Sequence, residues 1–326
     1  MILIDTQKEE FSKLRDIRVF GRISHDDRFN GNLLVIGLGG VGSRTVCNLK
    51  GMMVDDIIPE DNIHFLMIDS DIPEMEQTIE DSKEHVGFNA LEVLSIYRPN
   101  IENILADGIK KNPVHPNLAN WMDADFPDVT VTKDGAHGNR QIGRLMFSNA
   151  YEDIRMLLFD RLEEIHDKAN GNWMDVIIVS SLSGGTGSGI LSDLTYNIRA
   201  LGKAKKWANL RIGGCLLMPD VIFGNKSVTE DPELMFRMMA NGCAALKEVD
   251  YYMKLSEKDD AYIFESTTHK LVIRENLFDA CMLVSGKKDS QGYLPEGTVL
   301  MDTASFLYKL ACNKYIGNND VNDDRK

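Results

Sequence analysis

The sequence predicts an α/β fold built on a doubly wound, mainly parallel β-sheet. The continuous apolar run at residues 32–37 and the buried-strand pattern at residues 175–181 are typical of strands covered on both faces of a parallel sheet. These runs alternate with helical patterns, which is the signature of βαβ units with right-handed crossovers. Ligands of such sheets bind at the carboxyl ends of the strands, so this edge is where a site is expected.

Predicted strands alternate repeatedly with predicted helices along the chain. The polar residues 256–276 interrupt this order and are interpreted as a surface excursion. The predicted elements are, in chain order, helix 7–17, strand 32–37, helix 41–52, strand 63–68, helices near 88–97 and 100–110, helix 141–166, strand 175–181, helix 188–201, strand 210–218, helix 232–254, strand 279–285 and helix 298–315.

The composition of the 326 residues is that of a globular protein, with 43% hydrophobic and 26% charged residues. Lys and Arg number 36 against 50 Asp and Glu, giving a net charge of −14, so a basic nucleic-acid surface is not expected. No apolar run approaches the roughly 18 residues of a membrane helix, and the start lacks a signal-peptide pattern. Five widely spaced cysteines without a CxxC pair favour a reduced, cytoplasmic protein without disulfides or a zinc ribbon.

The first glycine cluster follows the strand at 32–37 and reads GLGGVGS, residues 37–43. Without Cβ atoms the backbone can approach a phosphate closely, and the next helix directs its free amides at the anion. The same pattern also fits simple tight packing of a turn. It is not a Walker loop, because Ser43 and Arg44 stand where that motif requires Lys followed by Ser or Thr.

The second glycine cluster, SGGTGSG at residues 183–189, follows the strand at 175–181. Its glycines and hydroxyl side chains offer a row of N–H donors, and such a nest binds polyphosphate without a lysine. A flexible linker is a poor interpretation because the segment lies between a buried strand and a helix.

Residues 183–189 match the signature of the tubulin/FtsZ superfamily, in which a small residue precedes GGTG-Ser/Ala-Gly. Residues 37–43 resemble the first nucleotide loop of that family. GAHGNRQIGR, residues 135–144, resembles its GAGxNPxxGR segment, with Arg140 in place of the usual Pro. Asp69-Ser70-Asp71 resembles its Asn-Thr-Asp loop. The resemblance covers about residues 32–320 and is closest to divergent bacterial tubulin-like proteins.

The resemblance implies a GTP-binding protein that uses Mg²⁺, with Asp69 and Asp71 near the metal or its water. Glu233 and Arg237, four apart on one helix face, resemble the pair that meets the ribose, although an ordinary surface ion pair fits equally well. Arg44 stands where FtsZ has Asn. The residues implied to contact the nucleotide are Gly39, Gly40, Val41, Gly42, Arg44, Asp69, Asp71, Gly135, Ala136, Gly138, Asn139, Ser183, Gly184, Gly185, Thr186, Gly187, Ser188, Glu233 and Arg237.

In this family a loop of pattern Asn-x-Asp-x-x-Asp, inserted from the neighbouring subunit, completes GTP hydrolysis. Residues 318–323 match that pattern directly after the last predicted helix, which implies that Asp320 and Asp323 polarise the attacking water. The same residues also read as a solvated tail. Tyr293 is a candidate for stacking on guanine. The partner implied is a second copy of the chain, in a head-to-tail filament.

The resemblance also implies a domain organisation. Residues 1–31 form an N-terminal helical extension, residues 32–297 the GTPase domain with insertions at 72–133 and 256–276, and residues 298–326 the central helix with the possible catalytic loop. The family's second domain is expected to be absent, either because the chain is truncated or because it is a minimal natural form.

Two other functions compete with a filament-forming GTPase. GLGGVGS followed by a strand that ends in Asp69 also resembles the nucleotide loop of ubiquitin-activating-type adenylating enzymes and, more loosely, a Rossmann dinucleotide site. That interpretation leaves residues 183–189 and 135–144 unexplained. A non-hydrolysing relative that binds nucleotide only for structure is the third possibility. The histidines show no ligand spacing, so a metal site of protein ligands alone is not expected.

Overall fold

The computed structural model describes residues 2–5, 32–55, 63–82, 86–106, 118–122, 133–266, 269–288 and 292–311. The helix predicted at 7–17 lies outside the described residues, as do Asp320 and Asp323.

The core of the molecule is a seven-stranded sheet in the order β1-β9-β6-β5-β2-β3-β4, and all of its strand pairs are parallel. Strands β7 and β8 form a separate antiparallel hairpin. The strands are β1 (Ile2–Asp5), β2 (Asn32–Leu38), β3 (Ile63–Asp69), β4 (Val93–Ser95), β5 (Met174–Ser181), β6 (Leu210–Leu217), β7 (Tyr262–Glu265), β8 (Lys270–Ile273) and β9 (Ala280–Ser285).

Helices cover both faces of the sheet, which confirms the doubly wound α/β fold. Alternate residues of β2 point to opposite faces: Leu34 and Ile36 join one apolar cluster, while Leu33 and Val35 join the other. The α-helices are α1 (Gly39–Asp55), α2 (Ile72–Ser82), α3 (Ile101–Ala106), α4 (Arg140–Asn149), α5 (Tyr151–Ala169), α6 (Thr186–Lys205), α7 (Lys226–Thr229), α8 (Pro232–Tyr252) and α9 (Glu296–Ala311).

The chain reverses its direction across the sheet between β2 and β5. From β2 it runs outward through β3 to β4, and it then returns to pair β5 with the opposite edge of β2. A ligand crevice forms at such a switch point, because the loops after the two central strands diverge to opposite faces. Both glycine clusters follow these two strands.

Four parts of the fold differ from the sequence prediction. Residues 88–97 are not helical and contain β4. The helix predicted at 141–166 is two helices separated at Ala150, whose φ of −92° and ψ of 7° leave the helical region. The strand β1 (Ile2–Asp5) was not predicted; it adds an edge to the sheet beside β9.

The fourth difference is the hairpin of β7 and β8 within residues 256–276, a segment interpreted as a surface excursion. Tyr262, Phe264 and Ile273 are buried, and Tyr262 stacks on Tyr196 with ring centroids 4.2 Å apart. The reason is that successive side chains of a strand point to opposite faces: Tyr262 and Phe264 pack on the core, while Ile263 and Val272 lie on the exposed face.

Tyr262→Phe is expected to lower the free energy of unfolding by about 2 kcal/mol, the usual contribution of one hydrogen bond to a charged group. The Tyr262 hydroxyl donates to Oδ1 of the buried Asp193, which keeps an ion pair to Arg144 at 2.7 Å in the variant. Urea unfolding measures the change, and Ile263→Thr on the exposed face of the same strand is the control. Equal stability of Tyr262→Phe and the unaltered protein would contradict this anchoring role.

Candidate functional site

The N-termini of α1 and α6 lie side by side at the carboxyl edge of the sheet. A Cβ atom built on Gly39, whose φ is +68°, would lie 3.0 Å from the amide nitrogen of Gly187. The first amides of each helix have no partner within their own helix, and both helix dipoles place their positive ends here. The two glycine clusters therefore create one site suited to an anion.

The loop at residues 135–139 packs directly on the second glycine cluster. A Cβ atom on Gly185 would lie 2.6 Å from the amide nitrogen of Asn139, so only glycine permits this contact. Asn139 caps the N-terminus of α4, since its side-chain oxygen accepts hydrogen bonds from the amides of Gln141 and Ile142. The third predicted motif thus lies beside the second.

Asn241 on α8 links these two loops. Its Nδ2 donates to the carbonyl oxygens of Gly138 at 2.6 Å and Ser183 at 3.0 Å. Arg237, one turn earlier, donates to the carbonyl oxygen of His137 at 3.2 Å and forms an ion pair with Glu233 at 3.3 Å. Glu233 and Arg237 thus form the surface ion pair that was the alternative to a ribose contact, and neither lines the cleft. Helix α8 fixes the position of the 135–138 loop.

The Asp69-Ser70-Asp71 loop reaches the same cleft from β3. The hydroxyl oxygens of Ser70 and Thr186 are 2.5 Å apart, which joins this loop to the start of α6. Asp71 Oδ1 accepts from the amide of Glu74 at 2.8 Å and so caps α2. All four segments that resemble nucleotide loops therefore meet in one place.

Asp69 is a buried carboxyl group with one unsatisfied oxygen. Its Oδ1 accepts from the amides of Ser70 at 2.7 Å and Asp71 at 3.3 Å, whereas Oδ2 has no partner among the described residues. Burial and, next, the charge of Glu74 raise the pKa of Asp69 to about 7. Burial also raises the pKa of Glu74. A buried oxygen without a protein partner in a polar cleft is usually satisfied by a water, a proton or a cation.

The cleft enclosed by these loops has a volume of about 250 Å³. Carboxylates predominate among its charged side chains, with Asp69, Asp71, Glu74, Asp134 and Glu296 in the lining. The predicted residues that line it are Gly39, Gly40, Val41, Arg44, Asp69, Asp71, Gly135, Ala136, Gly138, Gly184, Gly185, Thr186 and Gly187.

Arg44 is held by acidic partners at one end of the cleft. Its Nη2 donates to Glu296 Oε1 at 2.6 Å, and its Nε lies 3.6 Å from Glu74. Asn225 donates to the other oxygen of Glu296 at 2.5 Å. Much of the charge of Arg44 is therefore already balanced within the protein.

The remaining predicted residues lie behind or beside the lining. Gly42 packs against the backbone of β5, and the Ser188 hydroxyl donates to the carbonyl oxygen of Gly184 at 2.6 Å, which braces the loop. Ser183 Oγ is buried without a partner among the described residues. Tyr293 packs on Phe223 with ring centroids 4.7 Å apart and is not among the residues that line the cleft.

Several residues at this site were missed by the sequence analysis. Glu74, Asp134, Asn225, Asn241 and Glu296 lie outside the recognised motifs, so no local pattern marks them. His137 is different, because it lies inside the segment GAHGNRQIGR and lines the cleft. Its position between the predicted residues Ala136 and Gly138 could have identified it as a site residue.

The fold and the cleft define a doubly wound α/β protein whose ligand site is built from helix N-termini and glycine loops. A family model described as "Tubulin like" matches residues 34–310, and the chain belongs to this tubulin-like family. No protein of curated function matches the sequence.

Solved structures with a similar arrangement share little sequence with this chain. CetZ from Methanosaeta thermophila is 15% identical, with a TM-score of 0.45 over 89% of this chain and 56% of its own. CetZ2 from Haloferax volcanii, a GTPγS-bound protofilament, is 13% identical, with a TM-score of 0.44 over 88% of this chain and 60% of its own. TubZ from Bacillus thuringiensis, a GTPγS-form protofilament, is 13% identical, with a TM-score of 0.43 over 87% of this chain and 58% of its own.

This chain therefore covers between 56% and 60% of the length of these three proteins. Across the described ranges, no helix combines the length and apolar character needed to cross a membrane.

Proposed function

We propose that this protein binds GTP in the cleft and hydrolyses it when subunits associate head to tail. The observation that carries the proposal is the convergence of the α1 and α6 N-termini with the 135–139 loop in one cleft. Converging amides bind phosphate oxygens without basic side chains, which suits a protein of net charge −14. Membership of the tubulin-like family supports GTP as the nucleotide.

Magnesium fits this site as a partner of the phosphates. Within the described part of the chain, no group of three or more His, Cys, Asp or Glu side chains is arranged to hold a metal ion by itself. The orphaned Oδ2 of Asp69 and the carboxylate of Asp71 are suited to a hydrated cation that phosphate oxygens also bind. Such an ion would offset the negative charge that phosphates and carboxylates share.

Within the subunit, the described residues position the nucleotide. The amides at the start of α1 and α6 would bind phosphate oxygens, and Asn241 would hold the 135–138 and 183–185 loops together around them. Phosphoryl transfer depends mostly on such positioning and electrostatic stabilisation. The residues proposed to polarise the attacking water are Asp320 and Asp323, supplied by the neighbouring subunit. A cytoplasmic location is part of the same proposal.

The test is to incubate the purified protein with GTP, ATP or NAD, while phosphate release and light scattering are followed across protein concentrations. GTP turnover that rises faster than linearly with protein concentration, together with scattering, is the expected result. ATP–pyrophosphate exchange would instead identify an adenylating enzyme, and NAD binding would identify a dinucleotide site. GTP binding without turnover would identify a structural relative.

Asp320→Ala and Asp323→Ala are each expected to reduce GTP turnover to the background rate while GTP affinity stays within about twofold. The physical reason is that the water loses the carboxylate that polarises it, while the phosphate-binding amides are untouched. Phosphate release and equilibrium dialysis measure the two quantities, and Asp324→Ala in the same segment is the matched control. Full turnover by both variants would show that residues 318–323 are not the catalytic loop.

A further inference from the structure

His137 has a left-handed backbone conformation at the mouth of the cleft. Its φ is +46°, between those of Gly135 at +95° and Gly138 at +70°. The other described non-glycine residues with positive φ, Asn170 and Lys206, are helix C-caps. Glycine would adopt this conformation without the steric cost that a side chain incurs. A function for the imidazole would explain why the cost is accepted.

Neighbouring side chains impose this conformation. Arg237 donates to the carbonyl oxygen of His137 at 3.2 Å, and Asn241 donates to that of Gly138 at 2.6 Å. Both donors belong to α8, so the loop is braced from outside the cleft. The imidazole is exposed, lines the cleft, and makes no hydrogen bond to any described residue.

The two basic side chains of the described cleft lining differ in whether they already have partners. Arg44 and His137 are the basic side chains among the described residues of the lining. Arg44 is paired with Glu296 at 2.6 Å and lies 3.6 Å from Glu74. A polyphosphate that enters beside so many carboxylates therefore finds one basic side chain whose hydrogen-bonding groups are not engaged.

We propose that the His137 imidazole donates a hydrogen bond to a phosphate oxygen of the bound nucleotide and so determines specificity for phosphorylated ligands over the nucleoside. This inference rests on the proposed nucleotide-binding function. The amides of α1 and α6 hold the phosphates from the sheet side, and His137 holds them from the mouth of the cleft.

The experiment compares His137→Gly and His137→Asn with the unaltered protein, using isothermal titration with GTP, GDP and guanosine. His137→Gly is expected to weaken GTP and GDP binding about tenfold, a typical loss for a hydrogen bond to a charged group, and to leave guanosine binding unchanged. His137→Asn, which tolerates the left-handed conformation and keeps an N–H donor, is expected to lose less affinity.

Unfolding by urea separates a ligand contact from a structural role. Glycine fits the backbone of residue 137 without strain, so His137→Gly without nucleotide is expected to unfold at the same urea concentration as the unaltered protein, or at a higher one. Lys206→Gly, at the opposite end of the 20-residue helix α6, makes the same kind of change away from the cleft and is expected to leave affinity for GTP unaltered.

The outcomes distinguish this inference from the proposed function. Unaltered protein that binds none of the three ligands would overturn the proposed function. If the unaltered protein binds GTP and His137→Gly binds it equally well, the inference alone is wrong. Equal losses for GTP and guanosine would also overturn it, because the imidazole would then not act on the phosphates.

Discussion

Gly42→Ala is expected to lower the free energy of unfolding by about 3 kcal/mol, the upper end of the usual cost of overpacking. The added Cβ atom would lie 2.5 Å from the carbonyl oxygen of Val179 and 3.0 Å from the carbonyl carbon of Gly37. Both atoms are backbone atoms of the central strands β5 and β2, so neither can rotate away. Urea unfolding should show a lower midpoint at an unchanged slope.

Gly184→Leu is the matched variant, and it is expected to weaken GTP binding without lowering the free energy of unfolding. No atom lies within 4 Å of a Cβ at Gly184, which lines the cleft. The free energy of unfolding is expected to change by no more than about 0.5 kcal/mol, while GTP affinity falls at least about tenfold because the side chain fills the space above the amides. Unaltered GTP binding by a folded Gly184→Leu would show that nucleotide binds elsewhere.

Asp69→Asn is expected to remove a large pH dependence from the stability of the nucleotide-free protein. Burial and the charge of Glu74 raise the pKa of Asp69 from 3.8 in the unfolded chain to about 7 in the folded state. The folded protein therefore retains a proton that the unfolded chain releases, so its stability falls as the pH rises between about 4 and 7. The total loss is about 4 kcal/mol, at about 1.4 kcal/mol for each pH unit.

The measurement is urea unfolding of both proteins at several pH values between 4 and 8, in EDTA and without nucleotide. Stability of Asp69→Asn minus that of the unaltered protein should rise by about 4 kcal/mol across this range and level off above pH 7. Asparagine keeps the oxygen that accepts from Ser70 and Asp71, so the loop itself is preserved. A difference that stays constant with pH would show that the pKa of Asp69 is the same in the folded and unfolded states, and would contradict this prediction.

The elements nearest the site were the ones that the sequence predicted best. Residues 32–37, 63–68 and 175–181 are mostly apolar, because both faces of each strand are covered by helices, and the structure places β2, β3 and β5 there. The glycine clusters were equally visible, since residues 37–43 and 183–189 need close backbone approach. Strand burial and close backbone approach each restrict the residue type at particular positions, so both are visible in the local sequence.

The elements predicted worst depend on contacts with distant residues. The helix expected at 141–166 is interrupted at Ala150, where no Pro or Gly marks the break in the sequence. The hairpin of Tyr262–Glu265 and Lys270–Ile273 lies in a polar stretch and is held by aromatic contacts to residues more than 60 positions away, such as Tyr196 and Tyr151. Local propensity is overridden there by tertiary packing.

By itself, the sequence determined the class of fold, the four loops that meet at the sheet edge, and the glycines that allow an anion to approach. Each of these follows from strand burial or from the absence of a Cβ atom, which the chain encodes locally. Only the tertiary structure decided that Glu74 and Glu296 flank Arg44, that Asn241 joins two loops, and that one oxygen of Asp69 lacks a partner. These are contacts between residues far apart in sequence, and they set the charge of the cleft.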